Sequence, residues 1–243
     1  MISQNTIKEL SIKNQTREDN IAREYIQHLF LASLYSQKGT DALLFKGGTA
    51  LKIVFHSPRF SEDLDFSVQK AIPKAALENF VLEAITGIED EGITVELKET
   101  GFTTGGYLGI ISYAFYGFKG IIEIEISLRN RGFLSKSITT VVSDFIPAYM
   151  LVYLSSQEMV KEKLAALLKR HKPRDYYDLY FILRHPELNK FVDFKQLSLV
   201  KEDFVKERIN FKSELKILLP VSHHAILTNF KQSLIGEIDK FST

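Results

Sequence analysis

The stretch Lys46-Gly47-Gly48-Thr49, followed by Arg59-Phe60-Ser61-Glu62-Asp63-Leu64-Asp65-Phe66, decides the fold of the first half of this chain. A short, fully apolar run at 42–45 leads into the glycines and predicts a buried strand. Residues 50–55 fit a short helix that is entered from Thr49. From residue 63 to residue 66, acidic and apolar residues alternate, which is typical of a strand. The sequence therefore predicts a strand, a glycine turn, a helix and a second strand, in that order.

The glycine pair predicts a phosphate-binding turn. Glycine adopts backbone dihedrals that other residues avoid, and it lets a ligand reach main-chain N–H donors. A helix that begins directly after Gly47 and Gly48 places its positive end at the same point. We expect a triphosphate there, with the hydroxyl of Thr49 as an additional donor. A Gly-Gly pair on its own usually marks only a turn.

Asp63 and Asp65 are predicted to bind metal. Because they are two residues apart on a strand, their side chains leave the same face. Mg²⁺ and Mn²⁺ prefer carboxylate, phosphate and water as ligands. An isolated pair of this kind is most often a solvated strand face. Here the acids and the glycine turn occur together, each on the element that phosphoryl transfer requires, which favours a functional site.

A third carboxylate is expected on the strand at 121–127. Glu123, Glu125 and Ser127 share one face of that strand, while isoleucines occupy the other. We expect Glu125 to be the third metal ligand, with Glu123 as the alternative. Both acids also fit the polar face of an antiparallel strand.

Arg59 and Ser61 lie just before the acidic pair and are candidates for nucleotide binding. The arginine suits a phosphate contact, and it equally suits an ion pair with Glu62 or Asp63. The sequence leaves both alternatives open.

A second group of charges lies on two predicted helices. Residues 161–170 form an amphipathic helix with a leucine stripe, and Pro173 begins the next helix. Asp175 and Asp178 are three apart and share a face, and Arg174 is spaced to pair with Asp178. On the residues alone, such pairing and ordinary surface positions account for these charges. The aromatic candidates for base stacking are Tyr176, Tyr177 and Tyr180.

Strands mixed with helices give way to helices alone near residue 150. Residues 1–16 look like a polar arm, and Thr16 is placed to cap a helix over about 18–37. Another helix is expected from Pro73. Further strands are predicted at 107–115, 121–128 and 138–142. The chain therefore reads as an α/β (or α+β) sheet domain with an N-terminal helix at 1–150, followed by an all-helical domain at 151–243.

Composition limits the class of protein. The chain has 243 residues, 45% of them hydrophobic and 25% charged, with a formal net charge of +1. This balance argues against a strongly basic nucleic-acid-binding surface over the whole molecule. The chain contains no cysteine, so disulfides and cysteine-based zinc sites are excluded. We expect a soluble cytoplasmic protein without signal peptide or membrane segment.

Together these motifs resemble the AbiEii/AbiGii toxin family of nucleotidyltransferases, found in bacterial abortive-infection and toxin–antitoxin systems and related to the MenT toxins. The resemblance runs from about Lys46 to Leu183. It is carried by the two stretches quoted first, by Glu125-Ile126-Ser127, by Glu162-Lys163-Leu164-Ala165-Ala166-Leu167 with Arg170, and by Arg174-Asp175-Tyr176-Tyr177-Asp178-Leu179-Tyr180. Two departures are Glu in place of the Asp common as third acid, and Gly-Gly-Thr in place of Gly-Ser.

The resemblance implies a polymerase-β-like nucleotidyltransferase core and a helical domain that completes the cleft. Asp63 and Asp65 would act in catalysis with Lys163 and with Asp175 or Asp178. The implied metal ligands are Asp63, Asp65 and Glu125, holding Mg²⁺ or Mn²⁺. The residues predicted to bind the nucleotide are Lys46, Gly47, Gly48, Thr49, Arg59, Ser61, Arg170 and Arg174.

The predicted reaction is transfer of NMP from an NTP to an acceptor hydroxyl, by a toxin that a cognate antitoxin would neutralise. The resemblance suggests tRNA 3′ ends as acceptor, and a protein acceptor or the enzyme itself remains open. Two alternatives are a kinase-like phosphotransferase that moves the γ-phosphate and a non-catalytic relative that binds a nucleotide or a partner.

Overall fold

The computed structural model describes residues 1–129 and 134–241. It has two compact units. One comprises Met1–His56 and Phe60–Leu154, and the other comprises Ser57–Arg59 and Ser155–Thr243. The mixed α/β class with helices after the sheet is confirmed. The domain boundary predicted at residue 150 falls inside the last strand of the sheet, Tyr149–Leu154.

The first unit is built on one seven-stranded mixed sheet. Its strands are β1 (Leu43–Lys46), β2 (Leu64–Val68), β3 (Thr94–Thr103), β4 (Gly106–Phe115), β5 (Phe118–Ser127), β6 (Lys136–Val141) and β7 (Tyr149–Leu154). Their order across the sheet is β3-β4-β5-β2-β1-β7-β6. The β2–β5 and β1–β7 pairs are parallel, and the other neighbours are antiparallel. The strands with the predicted acids, β2 and β5, are therefore direct neighbours.

Alternation of side chains sets which face of β5 is buried. Ile122, Ile124 and Ile126 lie in the core, whereas Glu123 and Glu125 are exposed. This is the pattern expected from the sequence, because successive side chains of a strand point to opposite faces. The glutamates consequently occupy the open face of the sheet.

Four α-helices belong to the described part of the first unit. They are α1 (Gln4–Lys13), α2 (Glu18–Ser36), α3 (Gly47–Phe55) and α4 (Lys74–Glu89). The helix predicted at about 18–37 is confirmed by α2, and the helix predicted from Pro73 by α4. The helix expected at 50–55 begins earlier, since the glycines form its first turn.

The prediction of a polar arm at 1–16 is wrong. Residues 4–13 form α1, which contacts α2 and buries Ile7 and Leu10. These apolar residues are three apart, so they lie on one side of a helix. The predicted cap at Thr16 is also wrong, because Arg17 is the N-cap residue of α2 and the Thr16 hydroxyl accepts a bond from Asn20.

The second unit is helical. Its helices are α5 (Ser156–Arg170), α6 (Pro173–Arg184), α7 (Phe194–Lys206), α8 (Phe211–Leu218) and α9 (Phe230–Asp239). Aromatic residues fill its core, where the ring centroids of Tyr176 and Phe204 are 4.4 Å apart and Tyr177 stacks on Phe230 at 5.9 Å. Both tyrosines are buried. They therefore pack the core and are not placed for the base stacking predicted from the sequence.

Within the described part of the chain, no helix combines the length and the apolar character that a membrane crossing requires.

Candidate active site

The centre of the sheet aligns one basic and two acidic side chains. In the β1–β2 pair Lys46 lies opposite Asp65, and in the β2–β5 pair Asp65 lies opposite Glu125. Residues directly opposite each other on neighbouring strands project from the same face of the sheet. The predicted nucleotide-binding lysine and two of the predicted metal ligands therefore form a row across three strands.

The carboxylate of Asp65 lies against the first glycine of α3. A Cβ added to Gly47 would lie 2.8 Å from Cγ and 2.9 Å from Cβ of Asp65, and it would overlap Oδ2 of the same side chain. Gly47 also has a φ of +84°, in the left-handed region that favours glycine. The glycine turn and the acidic row therefore meet at one place, as the sequence predicted.

The start of α3 adds backbone donors at that place. Lys46 is its N-cap residue, and among the described residues this side chain makes no capping hydrogen bond to the helix. The first N–H groups of a helix have no partner within the helix, and they attract anions. Gly47 and Gly48 are thus suited to hold phosphate oxygens through the main chain.

The hydroxyl of Thr49 makes a different contact from the phosphate contact expected from the sequence. Its side chain is completely buried, and its hydroxyl donates to the carbonyl oxygen of Asp63. The sequence had suggested that this hydroxyl would bind phosphate. In the structure it ties the first turn of α3 to the segment that carries the acids.

Gln27 is a polar residue at this site that sequence reasoning missed. It lies on α2 with 2% of its surface exposed, and its Nε2 donates to the carbonyl oxygens of Ser61 and Glu62, at 3.1 Å each. Ser61, predicted to bind the nucleotide, is held here through its main chain. Helical periodicity could not identify Gln27, because a glutamine between apolar positions reads as a surface residue.

The acids do not form a closed three-ligand cluster. Across residues 1–129 and 134–241, no group of three or more His, Asp or Glu side chains is gathered closely enough to hold a metal ion. Asp65 and Glu125 are adjacent through the strand register, and Asp63 immediately precedes β2. Mg²⁺ commonly takes one or two carboxylates from the protein and completes its shell with water and substrate phosphates. The oxygen donors present therefore fit a divalent ion that binds together with a nucleotide.

Arg59 belongs to the helical unit and pairs with Asp178. Its Nε donates to Oδ1 of Asp178 at 2.8 Å and its Nη2 donates to Oδ2 at 3.0 Å. The ammonium group of Lys163 also donates to Oδ2 of Asp178, at 2.6 Å. Arg59, Lys163 and Asp178 thus form a three-residue ion cluster within the helical unit, which the sequence did not indicate.

Electrostatics keep the carboxyl of Asp178 ionised. Its side chain is 1% exposed. Burial alone would raise the pKa of Asp178, but the positive charges of Arg59 and Lys163 outweigh burial and lower this pKa to about 2. Both carboxylate oxygens already accept bonds from these cations. In this structure Asp178, Lys163 and Arg59 act on one another.

The other predicted helical residues form two further ion pairs. Arg170 donates to Asp175 through Nε and Nη2, with both distances 2.8 Å. Arg174 contacts Glu214 at 3.4 Å, and not Asp178 as its spacing suggested. The structure brings together Lys46, Gly47, Asp65 and Glu125 in the first unit. It separately joins Arg59, Lys163 and Asp178, and Arg170 with Asp175, in the second.

Comparison with solved structures shows the same fold in bacterial proteins. MenT4, a nucleotidyltransferase toxin from Mycobacterium tuberculosis, aligns with a TM-score of 0.66 at 19% identity, covering 98% of this chain and 90% of its own. JHP933 from Helicobacter pylori aligns with a TM-score of 0.59 at 22% identity, covering 93% of this chain and 96% of its own. At such identities the likeness concerns the fold.

Comparison with curated proteins found no match. A family comparison is decisive, since the family described as "Nucleotidyl transferase AbiEii toxin, Type IV TA system" matches residues 29–237. This range contains the glycine turn, the acidic row and both ion-pair motifs of the helices. The chain belongs to the AbiEii family of nucleotidyltransferase toxins of type IV toxin–antitoxin systems.

Proposed function

We propose that the acidic row and the glycine turn transfer a nucleoside monophosphate from an NTP to an acceptor hydroxyl, with a divalent metal ion. The observation that carries this proposal is the position of Asp65, which touches Gly47 and lies opposite Glu125. One carboxylate is thereby shared between a phosphate-binding turn and a second acid, as the reaction requires.

The nucleotide would bind through its triphosphate. The backbone N–H groups of Gly47 and Gly48 would donate to phosphate oxygens, and the positive end of α3 would favour their charge. Lys46 adds a cation on the same sheet face as Asp65. This arrangement holds the leaving group and orients the α-phosphate toward the acids.

The acids would hold Mg²⁺ or Mn²⁺, with Asp65 and Glu125 as the principal ligands and Asp63 as the third. When bound, such an ion activates the attacking oxygen and neutralises charge on the leaving oxygen. The acceptor oxygen forms a bond to the α-phosphorus as the bond to pyrophosphate breaks. The residues position both partners, which accounts for much of the rate enhancement of such reactions.

The proposal also covers the acceptor, the protein partner and the cellular location. We infer a tRNA 3′ end as acceptor, a cognate antitoxin as protein partner and the cytoplasm as location. The toxin–antitoxin description of the family supports an antitoxin. A protein acceptor and self-modification are the competing outcomes of the experiment.

Labelled NTPs test the proposed reaction. The purified protein is incubated with Mg²⁺, total cellular RNA and each NTP, labelled in parallel at the α- or the γ-phosphate. We expect α-label in RNA, its loss in Asp65→Asn, and its retention in Glu99→Gln, which changes an exposed acid on β3. Retention of γ-label would identify a kinase-like transfer, and nucleotide binding without any transfer would identify a non-catalytic relative. Undiminished α-transfer by folded Asp65→Asn would refute the site assignment.

A further inference from the structure

The segment 60–63, which leads into β2, has no regular secondary structure. Gln27 donates to two carbonyl groups of this segment, since its single amide group reaches the carbonyl oxygens of Ser61 and Glu62. A buried glutamine on α2 thus fixes two consecutive peptide units.

The next carbonyl along the chain is held by a side chain of a different helix. The Asp63 oxygen accepts the hydroxyl of Thr49, on the first turn of α3. Three consecutive carbonyls, those of residues 61, 62 and 63, are consequently bonded by two buried side chains from two helices. Such bonds within a buried polar setting fix the path of the backbone.

Side-chain contacts fix the same segment further. The ammonium group of Lys52 lies 4.1 Å from the centre of the buried Phe60 ring. In addition, Arg23 approaches the carboxylate of Glu62 at 3.6 Å. The segment is therefore anchored by its side chains as well as by its carbonyl groups.

Of the two aspartates, Asp63 depends more on this anchored segment for its backbone position. Unlike Asp65, which lies within β2 and is held by the ladder, Asp63 comes before the strand begins. Its backbone position depends on the segment 60–63. Groups that orient a metal ligand are as important to a site as the ligand itself.

We propose that Gln27 is a positioning residue, which together with Thr49 sets the backbone of Asp63 so that its carboxylate can join Asp65 and Glu125 around a divalent ion. This rests on the proposed function. In this role Gln27 acts through the carbonyls of Ser61 and Glu62.

The test uses Gln27→Met, which keeps the side-chain length and removes the donor. The matched control is Gln37→Met, because Gln37 also lies at α2 and donates to a carbonyl, that of Phe80, at 3.0 Å. Hydrogen exchange is followed across residues 60–64 in the full-length protein. Binding of Mn²⁺ alone is followed by its electron paramagnetic resonance signal.

We expect faster exchange in 60–64 for Gln27→Met only, and Mn²⁺ affinity lower by about 10-fold, the usual scale for loss of a group that orients a ligand. Thr49→Val should behave similarly, and Thr49→Ser, which keeps the hydroxyl, should restore both properties. If Gln27→Met does not fold, the two Thr49 variants alone test whether the bonded carbonyls position Asp63.

Failure of the positioning role and failure of the proposed reaction give different results. Unchanged exchange and unchanged Mn²⁺ affinity in folded Gln27→Met and Thr49→Val would overturn the positioning role while leaving the proposed reaction intact. Absence of both Mn²⁺ binding and NMP transfer in the wild-type protein would overturn the proposed reaction and with it the role in metal binding, whatever the exchange experiment shows for the backbone.

Discussion

Oδ2 of Asp65 occupies the space that a side chain on Gly47 would need. The side chain of Asp65, on β2, thereby fills the space beside the first residue of α3. The close approach is possible only because residue 47 has no Cβ and adopts a φ of +84°.

Gly47→Ala should damage both stability and activity. The added methyl group must displace Asp65, and alanine is strained at positive φ, so we expect a loss of more than about 1 kcal/mol in unfolding free energy. Urea denaturation and the α-label assay measure the two effects. Gly236→Ala is the control: it lies on α9, where no described atom comes within 4 Å of an added Cβ, and it should stabilise by about 0.5–1 kcal/mol. Equal behaviour of the two variants would contradict the geometry.

The strand register separates the two candidate third acids. Glu125 lies opposite Asp65, whereas Glu123 is displaced by two residues along the same face. Loss of a direct metal ligand should cost at least the ~10–100-fold seen for groups that only orient one. We therefore expect Glu125→Gln to lower NMP transfer by more than about 100-fold and Glu123→Gln to lower it much less. The reverse order would show that the sequence alternative, Glu123, is the ligand.

The ion cluster of the helical unit should dominate its stability. Asp178→Asn removes the buried carboxylate that pairs with Arg59 and Lys163, and removing one member of a buried ion pair typically costs about 3–5 kcal/mol. Denaturant unfolding, followed by the far-ultraviolet circular dichroism of the helices, measures this cost. Asp193→Asn keeps a side-chain acceptor at the N-cap of α7 and should change stability only slightly. A small effect of Asp178→Asn would show that the cluster is not essential to the fold.

Two titrations should make stability depend on pH. Burial, reinforced by the positive charge of Lys52, lowers the pKa of His28 to about 4, whereas an unfolded histidine has a pKa of about 6.5. The unfolded state therefore binds more protons between these values, and stability falls as pH drops from about 6.5 to about 4, by roughly 3 kcal/mol. In the native state Nδ1 of the His28 ring is hydrogen-bonded to the hydroxyl of Tyr149 at 2.9 Å.

His28→Gln keeps a polar group and cannot titrate, so the fall in stability that His28 causes over that window should be lost. Asp178 acts at lower pH. With a folded pKa of about 2 and an unfolded value of about 3.9, it stabilises the fold above about pH 4, and this contribution is lost as pH falls toward 2. Unfolding curves collected from pH 7 to pH 2 separate the two windows. An unchanged slope between pH 6.5 and pH 4 in His28→Gln would rule out the assignment to His28.

Local patterns predicted most strands of the sheet, but not β7, which lies where the sequence was read as turning helical. Alternation along β5 and the apolar run before the glycines each reflect a periodicity that a single segment contains. The pairing of Asp65 with Glu125 could be expected only in outline, because register depends on how separate strands meet. Residues 1–16 were mistaken for an arm since their apolar residues are few, and Ile7 and Leu10 were enough to bury one side of α1.

The sequence could not predict which charged side chains pair with one another. Arg59 and Asp178 are 119 residues apart, so no spacing rule connects them. Glu62 contacts Arg23 and Arg174 contacts Glu214, and no spacing rule indicated either pair. Gln27 was missed for a similar reason, since a side-chain bond to a distant carbonyl leaves no periodic signal.

The assignment of Ser57–Arg59 to the helical unit has a consequence for dissecting the protein. The polypeptide leaves the sheet unit after His56, contributes Ser57–Arg59 to the helical unit, and returns at Phe60. A fragment cut at Ser155 would therefore lack Arg59 and leave Asp178 with Lys163 as its remaining cation in the cluster. Co-expressing the two halves as separate genes would not reproduce the natural division, and a circular permutant or an intact chain is the appropriate starting point for studying either unit.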